Sequence, residues 1–279
     1  MFKLDLNGKW MMKRTEEDNW LEAEVPGSVY NDLLRSGKLE DPFYRENEYD
    51  AFKVSEYDYE YRRSFQVSPD ILEYDVVNLV CEGLDTLSTV YLNSAEILNT
   101  DNMHRTYVID IKKWIRAGSN DLHIIFKSPV EYVLRKQAES PLFNSDDAVE
   151  GISHLRKAHC MFGWDWGPKL PDMGIWRDIY ICCYNHARID DVYITQKHLP
   201  GKVELDARVR IENWAQSDYE IILKVEGPDG KALERSENIS EGEKHISIDI
   251  ENPELWWPNN FGKQPLYNVR VTLAENGAV

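Results

Sequence analysis

The amino-acid sequence predicts an all-β fold made of two sandwich domains. Apolar and polar residues alternate through most segments, which is the period of a strand with one buried face. Clusters of Gly, Pro, Asn and Asp separate these segments without regular intervening helices, and this pattern favours antiparallel sandwiches over an alternating strand-helix fold. The length of 279 residues also fits about two domains.

The strand segments follow one another along the whole chain. We expect strands over residues 57–67, 76–81, 89–92, 122–127, 177–183, 203–212, 219–226 and 266–273. Short helices are expected over 29–35, 111–116 and 130–137, with Ser28, Asp110 and Pro129 at their respective starts. The stretch 139–157 has no clear period and is predicted to be a long loop, a feature that is usually functional or mobile.

A domain boundary is predicted after Asn185, which gives domains over 1–185 and 186–279. The second domain has the size of an immunoglobulin-like sandwich. Near its end, Asn276-Gly277 is a strong hairpin signal, and only two residues follow it. Since the returning strand of that hairpin is missing, we expect the chain to be a fragment of a longer protein.

Charge and composition exclude several classes of function. The chain has 32 Lys and Arg against 49 Asp and Glu, and the net charge of −17 repels nucleic-acid phosphates and anionic lipids. No apolar run is long enough for a membrane span, and residues 1–6 do not resemble a secretory signal, so a cytoplasmic location is expected. Structural zinc and a disulfide framework are not expected, because no C-x-x-C pair occurs among Cys81, Cys160, Cys182 and Cys183.

The densest chemical signal lies in residues 162–168, here called the aromatic segment. It places Asp165 between Trp164 and Trp166, with Gly and Pro on either side. In a loop, the indole rings stack on the C–H faces of a sugar, and the carboxylate accepts hydrogen bonds from hydroxyl groups. The alternative is that the Trp residues belong to the core and that Asp165 caps a turn. The residues alone leave both interpretations open.

Other candidate sites are weaker. His104-Arg105 has the chemistry of an anion site, but a structural hydrogen-bonding pair is the favoured interpretation. The acidic residues of the long loop lack the ligand spacing of a calcium loop and are interpreted as solvated charges: Glu139, Asp146, Asp147 and Glu150. No motif for nucleophilic catalysis, phosphate binding or dinucleotide binding occurs. We therefore assign no catalytic residue, metal or cofactor to this chain.

A series of short motifs runs in order along nearly the whole chain: Leu6-Asn7-Gly8-Lys9-Trp10, Val25-Pro26-Gly27, Asp41-Pro42-Phe43-Tyr44, Asn47-Glu48, Glu82-Gly83-Leu84-Asp85-Thr86, Asn102-Met103-His104-Arg105, the aromatic segment, Gly174-Ile175-Trp176-Arg177 and Pro253-Glu254-Leu255-Trp256-Trp257-Pro258. These motifs resemble those of glycoside hydrolase family two, in its β-mannosidase branch. The aromatic segment and the motif at 174–177 are the most particular to that branch.

The resemblance implies a jelly-roll, galactose-binding-like domain, then an immunoglobulin-like domain cut at its last hairpin, and after them a (β/α)₈ barrel with two catalytic glutamates. The barrel is absent here. The implied whole protein is a retaining exo-β-mannosidase acting on β-mannoside oligosaccharides, and this chain alone is expected to be inactive. The Asn47-Glu48 pair matches an N-terminal motif of the family and not its catalytic Asn-Glu pair, so Glu48 receives no catalytic role.

The family resemblance also implies a role for the aromatic segment. In β-mannosidases the matching Asp reaches the barrel's pocket and binds hydroxyls of the terminal mannose, which implies this role for Asp165, with Trp164 and Trp166 at the rim. For Trp166 and Trp176 a core position is also expected. The competing hypotheses are a free-standing carbohydrate-binding module and the same part of a β-galactosidase or β-glucuronidase, in which the aromatic segment would be out of place.

Overall fold

The computed structural model describes residues 1–275 and divides the chain into two compact units, Met1–Cys183 and Tyr184–Val279. Strands dominate both units, and helices are few and short, which confirms the predicted all-β fold. None of the helices in the described residues is long and apolar enough to cross a membrane. The predicted hairpin at Asn276-Gly277 lies outside the described residues.

Unit 1 contains twelve strands and three α-helices. Its strands are β1 (Phe2–Asp5), β2 (Gly8–Arg14), β3 (Leu21–Val25), β4 (Tyr59–Val67), β5 (Val76–Cys81), β6 (Leu84–Asp85), β7 (Ser88–Leu92), β8 (Ala95–Thr100), β9 (Tyr107–Asp110), β10 (Gly118–Phe126), β11 (Gly174–Ile175) and β12 (Ile179–Tyr184). Its helices are α1 (Val29–Arg35), α2 (Asn47–Val54) and α3 (Pro129–Glu139), with single 3₁₀ turns at Pro69–Glu73, Ile152–His154 and His159–Phe162.

Two sheets and their shared core organise unit 1. The first sheet has the order β1-β12-β5-β9, the second has the order β3-β2-β4-β10-β7-β8, and β11 pairs with β6 in a short separate ribbon. Buried side chains from both sheets form one core, for example Leu79 of β5, Ile124 of β10 and Ile181 of β12. A smaller cluster lies beneath α3 and includes Val133, Val149 and Phe162.

In the residues of unit 2 that the structure describes, the chain forms two three-stranded sheets. Its strands are β13 (Ala187–Leu199), β14 (Lys202–Asn213), β15 (Tyr219–Glu226), β16 (Ala232–Ile239), β17 (Gly242–Glu251) and β18 (Asn268–Ala274). The sheets have the orders β13-β14-β17 and β16-β15-β18. Alternate residues of β14 and β15, among them Val209 and Leu223, are buried in a second core, as the period of two requires.

The helices show where the sequence prediction holds and where it fails. Helix α1 has the predicted bounds, and the Ser28 hydroxyl accepts a hydrogen bond from the Asn31 amide at 3.4 Å, so Ser28 is its N-cap. Helix α3 starts at Pro129 as predicted. The predicted helix over 111–116 is wrong, because the Asp110 carboxylate accepts from the Lys112 amide at 2.9 Å and forms a turn. Helix α2 was not predicted.

Candidate functional site

The aromatic segment lies on the surface of unit 1. Trp164 is 53% exposed and Trp166 is 82% exposed, and their ring centroids are 5.8 Å apart at an interplanar angle of 63°. Asp165 between them is exposed, and within residues 1–275 its carboxylate forms no hydrogen bond or ion pair. The expectation of a core position for Trp166 is therefore wrong. The turn itself is closed by the Gly167 amide, which donates to the Trp164 carbonyl at 3.2 Å.

A buried lysine joins the two ends of the loop that carries the aromatic segment. The ammonium group of Lys157 donates to the Asp172 carbonyl at 2.7 Å and forms an ion pair with the Asp85 carboxylate. The Lys157 side chain is fully buried, and the Asp85 side chain is 4% exposed. Since residues 157 and 172 flank the aromatic segment, this contact ties both ends of the loop to the interior of unit 1.

Asp172 anchors the second end of the loop through its side chain. Its carboxylate accepts hydrogen bonds from the Tyr30 amide at 3.2 Å and the Met173 amide at 2.7 Å, and a further one from Ser28. Burial raises the pKa of Asp172 to about 6, because loss of water outweighs these hydrogen bonds. Because Ser28 also caps α1, the start of that helix and the base of the loop are joined at this carboxylate.

Backbone contacts complete the support of the aromatic segment. The amide of Met103 donates to the Arg156 carbonyl at 3.0 Å, and the amide of Leu170 donates to the Met161 carbonyl at 2.8 Å. Gly163 has φ +119°, and a Cβ there would lie 2.7 Å from the Asp147 carbonyl, so the chain approaches its neighbour closely at this point. The chain on both sides of the exposed indole rings is therefore held in place by hydrogen bonds to the rest of unit 1.

The family-like motifs, which are far apart in sequence, converge on one cavity next to the base of the loop that carries the aromatic segment. The cavity has a volume of about 360 Å³ and is lined by residues from five chain segments, among them Gly27, Asn31, Asp85, Met103, Asp172 and Trp176. Trp176 is half-buried and donates from its ring nitrogen to the Met103 carbonyl at 3.2 Å. A Cβ at Gly83 would lie 2.5 Å from that nitrogen, so Trp176 has a packing role in this wall.

The cluster of Asp85, Lys157 and Asp172 was not predicted from the sequence. Asp85 and Lys157 are 72 positions apart, and no periodic pattern relates residues that only tertiary packing brings together. Lys157 lies at the end of the predicted irregular loop. The one sequence signal that pointed to this cluster was the position of Asp85 within the motif at 82–86, and the structure shows that Leu84 and Asp85 of this motif are buried.

The weaker candidates occupy ordinary surface positions. His104 is exposed and its amide donates to the Asn102 side chain at 2.9 Å, while the Arg105 guanidinium lies 5.7 Å from the Tyr107 ring centroid. Glu139 forms ion pairs with Arg135 and Lys136 of its own helix. In the described part of the chain, no three His, Cys, Asp or Glu residues are grouped in a way that would hold a metal ion.

Comparison with known families identifies both units. The family model "Glycosyl hydrolase 2 galactose-binding domain-like" matches residues 10–177, which is more than half of the chain. The chain belongs to glycoside hydrolase family 2. The model "Glycosyl hydrolases family 2" matches residues 187–279. The resemblance inferred from the motifs is thereby confirmed, and the matched domains are those of the N-terminal region of family 2 proteins.

Individual family 2 proteins resemble the chain over its whole length. It is 29% identical to a β-mannosidase of Capra hircus and 33% identical to β-mannosidase B of Aspergillus terreus, each over 99% of this chain. The crystal structure of a β-D-mannosidase from Dictyoglomus thermophilum superimposes over 100% of the chain with a TM-score of 0.92 at 31% identity. An exo-chitosanase of Amycolatopsis orientalis, at 17% identity and a TM-score of 0.67, shares the fold.

The chain is much shorter than these relatives. It spans 33% of the goat protein, 34% of the Aspergillus protein and 35% of the Dictyoglomus chain.

Proposed function

We propose that this chain is the N-terminal, non-catalytic part of a retaining exo-β-mannosidase that removes terminal β-linked mannose from oligosaccharides. Its similarity to β-mannosidases over 99% of its length supports the substrate class. In this proposal residues 1–185 form a jelly-roll, galactose-binding-like domain and residues 186–279 an immunoglobulin-like domain. The two catalytic carboxylates belong to a C-terminal (β/α)₈ barrel, about 5 Å apart as retention requires, and the chain alone is inactive.

The observation that carries the proposal is the exposed carboxylate of Asp165, which lies on a loop that is held at both ends. The Asp165 carboxylate has no partner among the described residues, although the loop around it is bonded to the interior at both ends. A free carboxylate held in this way accepts hydrogen bonds from two sugar hydroxyls without first breaking a bond to protein. The neighbouring Trp164 and Trp166 rings, which are exposed and packed against each other, offer apolar ring surface for the C–H groups of the sugar.

Substitution of Asp165 in the full-length protein tests this role. Asp165→Ala removes a charge-assisted contact with substrate hydroxyls, and we expect kcat/KM on a chromogenic β-mannoside to fall by about ten- to a hundredfold. The melting temperature should not change, because Asp165 supports no other described residue. The matched control is Asp18→Ala, an exposed carboxylate in the turn between β2 and β3, which should leave both quantities unchanged. A lowered melting temperature with normal kcat/KM would instead make Asp165 a turn residue.

A further inference from the structure

Unit 2 has an apolar groove that the proposed sugar site does not use. The groove has a volume of about 590 Å³, and its floor is formed by buried Val203, Leu205 and Ile250. Its rim is formed by large side chains that face solvent: Leu255 is 42%, Trp256 55%, Trp257 51% and Leu266 71% exposed. Several large apolar side chains exposed together mark an interaction surface, whereas singly scattered ones do not.

The rim is held in a defined shape. The Trp257 amide donates to the Lys263 carbonyl at 2.9 Å, and the Gln264 side chain donates to the Trp257 carbonyl at 2.8 Å. The Glu254 amide donates to the Tyr267 hydroxyl at 2.9 Å. A Cβ at Gly262 would lie 2.8 Å from the Trp257 ring, so the turn packs closely on that indole. A preorganised surface loses little conformational entropy when a partner binds it.

We propose that this groove is the docking surface for the part of the full-length protein that lies outside residues 1–279. This inference rests on the proposed function. This chain spans about a third of its β-mannosidase relatives, so under the proposed function the rest of the same polypeptide would supply the partner. A tethered partner is present at high effective concentration and therefore outcompetes a second copy of the chain.

The chemistry of the groove matches a protein surface better than a sugar. Apart from the Tyr267 phenol and the single indole N–H groups of Trp256 and Trp257, only Gln196, His198 and Glu254 among the lining side chains carry hydrogen-bonding groups. A sugar presents many hydroxyls, each of which loses free energy if it is buried without a partner. Aromatic anchors surrounded by aliphatic side chains are typical of the centres of protein interfaces. The facing surface is therefore expected to be apolar, with Trp256 and Trp257 as its anchors.

Hydroxyl-radical footprinting with mass spectrometry tests the proposal directly on the wild-type proteins. Oxidation of Trp256 and Trp257 is compared between the 279-residue chain and the full-length protein. We expect their oxidation rates to fall about tenfold in the full-length protein, because anchors at an interface centre are shielded from water. Tyr193, 57% exposed on β13, is the internal control and should react equally in both. Equal Trp256 and Trp257 rates in the two proteins would overturn the proposal.

The other possible occupants give different results on the chain alone. Protection of Trp256 by a β-mannan oligosaccharide would make the groove a sugar site and overturn the proposal. Protection that rises with protein concentration, together with a doubled mass, would make it a self-association surface and also overturn it. Hydrolysis of β-mannoside is measured on the same full-length sample. Activity without protection rejects the groove proposal alone, and protection without activity rejects the proposed function alone.

A substitution separates docking from local folding. Trp256→Ala should lower the melting temperature of the full-length protein by clearly more than that of the 279-residue chain, because the ring, 55% exposed in the chain, gains further contacts from the docked partner. The control is Leu233→Ala on β16, a side chain 42% exposed outside the groove, which should have the same small effect in both proteins. Equal effects of Trp256→Ala on the two proteins would contradict docking at this surface.

Discussion

The Asp172 carboxyl group links the stability of unit 1 to pH. Its pKa is raised from 3.8 to about 6 by burial, so the folded state binds the proton more tightly than the unfolded state does. The stabilisation from this group is therefore complete below about pH 4 and is lost as the pH rises to about 6. A shift of this size corresponds to about 3 kcal/mol.

Asp172→Asn tests this linkage because it removes the titration and keeps an acceptor oxygen for the two backbone amides. The free energy of unfolding of the variant, measured relative to wild type by urea denaturation, should increase between pH 4 and pH 7 by about 3 kcal/mol. Taking the difference between the two proteins cancels the other titrating groups. A difference that stays constant with pH would show that Asp172 has an ordinary pKa in the folded state.

The buried pair of Lys157 and Asp85 is expected to be the most sensitive ionic contact of the site. Lys157→Met leaves the Asp85 carboxylate buried without its cation, and the free energy of unfolding should fall by about 3 to 5 kcal/mol. Adding Asp85→Asn removes the uncompensated charge and should restore part of the loss. Urea denaturation of the two single variants and the double variant measures the coupling. Purely additive losses would mean that the two groups do not stabilise each other.

Residue types predicted sugar-binding chemistry for the aromatic segment, and tertiary packing determined which of its side chains are exposed. A Trp-Asp-Trp run in a Gly- and Pro-rich context indicates sugar chemistry, but the sequence does not distinguish an exposed indole from a buried one. The structure exposes Trp166 and keeps Trp176 half-buried in a cavity wall. The difference arises from tertiary contacts such as that of Trp176 with Gly83, which no local pattern encodes.

At the scale of elements, α3 and the turn at Ile152–His154 share a buried cluster with Phe162, the first residue of the aromatic segment. Gly151 starts that turn with φ +85°, and a Cβ there would lie 2.3 Å from the Val133 carbonyl of α3. Gly151→Ala therefore adds a steric clash to an unfavourable backbone conformation. We expect the free energy of unfolding to fall by about 3 kcal/mol or more.

A second glycine supplies the control for this substitution. Gly37 follows α1 with φ +67°, but no atom lies within 4 Å of a Cβ built there. Gly37→Ala should cost only the backbone term, about 1 kcal/mol. Urea denaturation of both variants separates the steric clash from the backbone term, and equal losses would argue against close packing of Gly151 on α3.

Strands were easier to predict from this sequence than helices. The strand Tyr219–Glu226 was predicted with its observed bounds, because alternation of buried and exposed residues is a local signal with a period of two. Helix α2 gives no such signal, since Ala51 is its buried residue and Glu46 makes no side-chain cap. The helix expected over 111–116 is so short that its internal hydrogen bonds do not outweigh contacts with the neighbouring strand. The Ile111 amide instead donates to the Val77 carbonyl at 2.8 Å.

At the scale of the whole molecule, the order of the motifs along the chain and the net charge gave information about family and partners that single residues did not. The sequence of motifs predicted the family, which the match over residues 10–177 confirms. The net charge of −17 led to the expectation that nucleic acid is not a partner, because like charges repel. The apolar groove of unit 2 was not predicted, because its rim and floor come from strands and a turn that are distant in sequence.

The most direct test of the account compares hydrolysis of three chromogenic substrates by the full-length protein. We predict that kcat/KM for the β-mannoside exceeds that for the β-galactoside and the β-glucuronide by about a hundredfold or more, because a site built to hydrogen-bond particular hydroxyls discriminates strongly against sugars that place them elsewhere. The 279-residue chain, assayed in parallel, should hydrolyse none of them. A preference for β-galactoside or β-glucuronide, or turnover by the chain alone, would contradict the account.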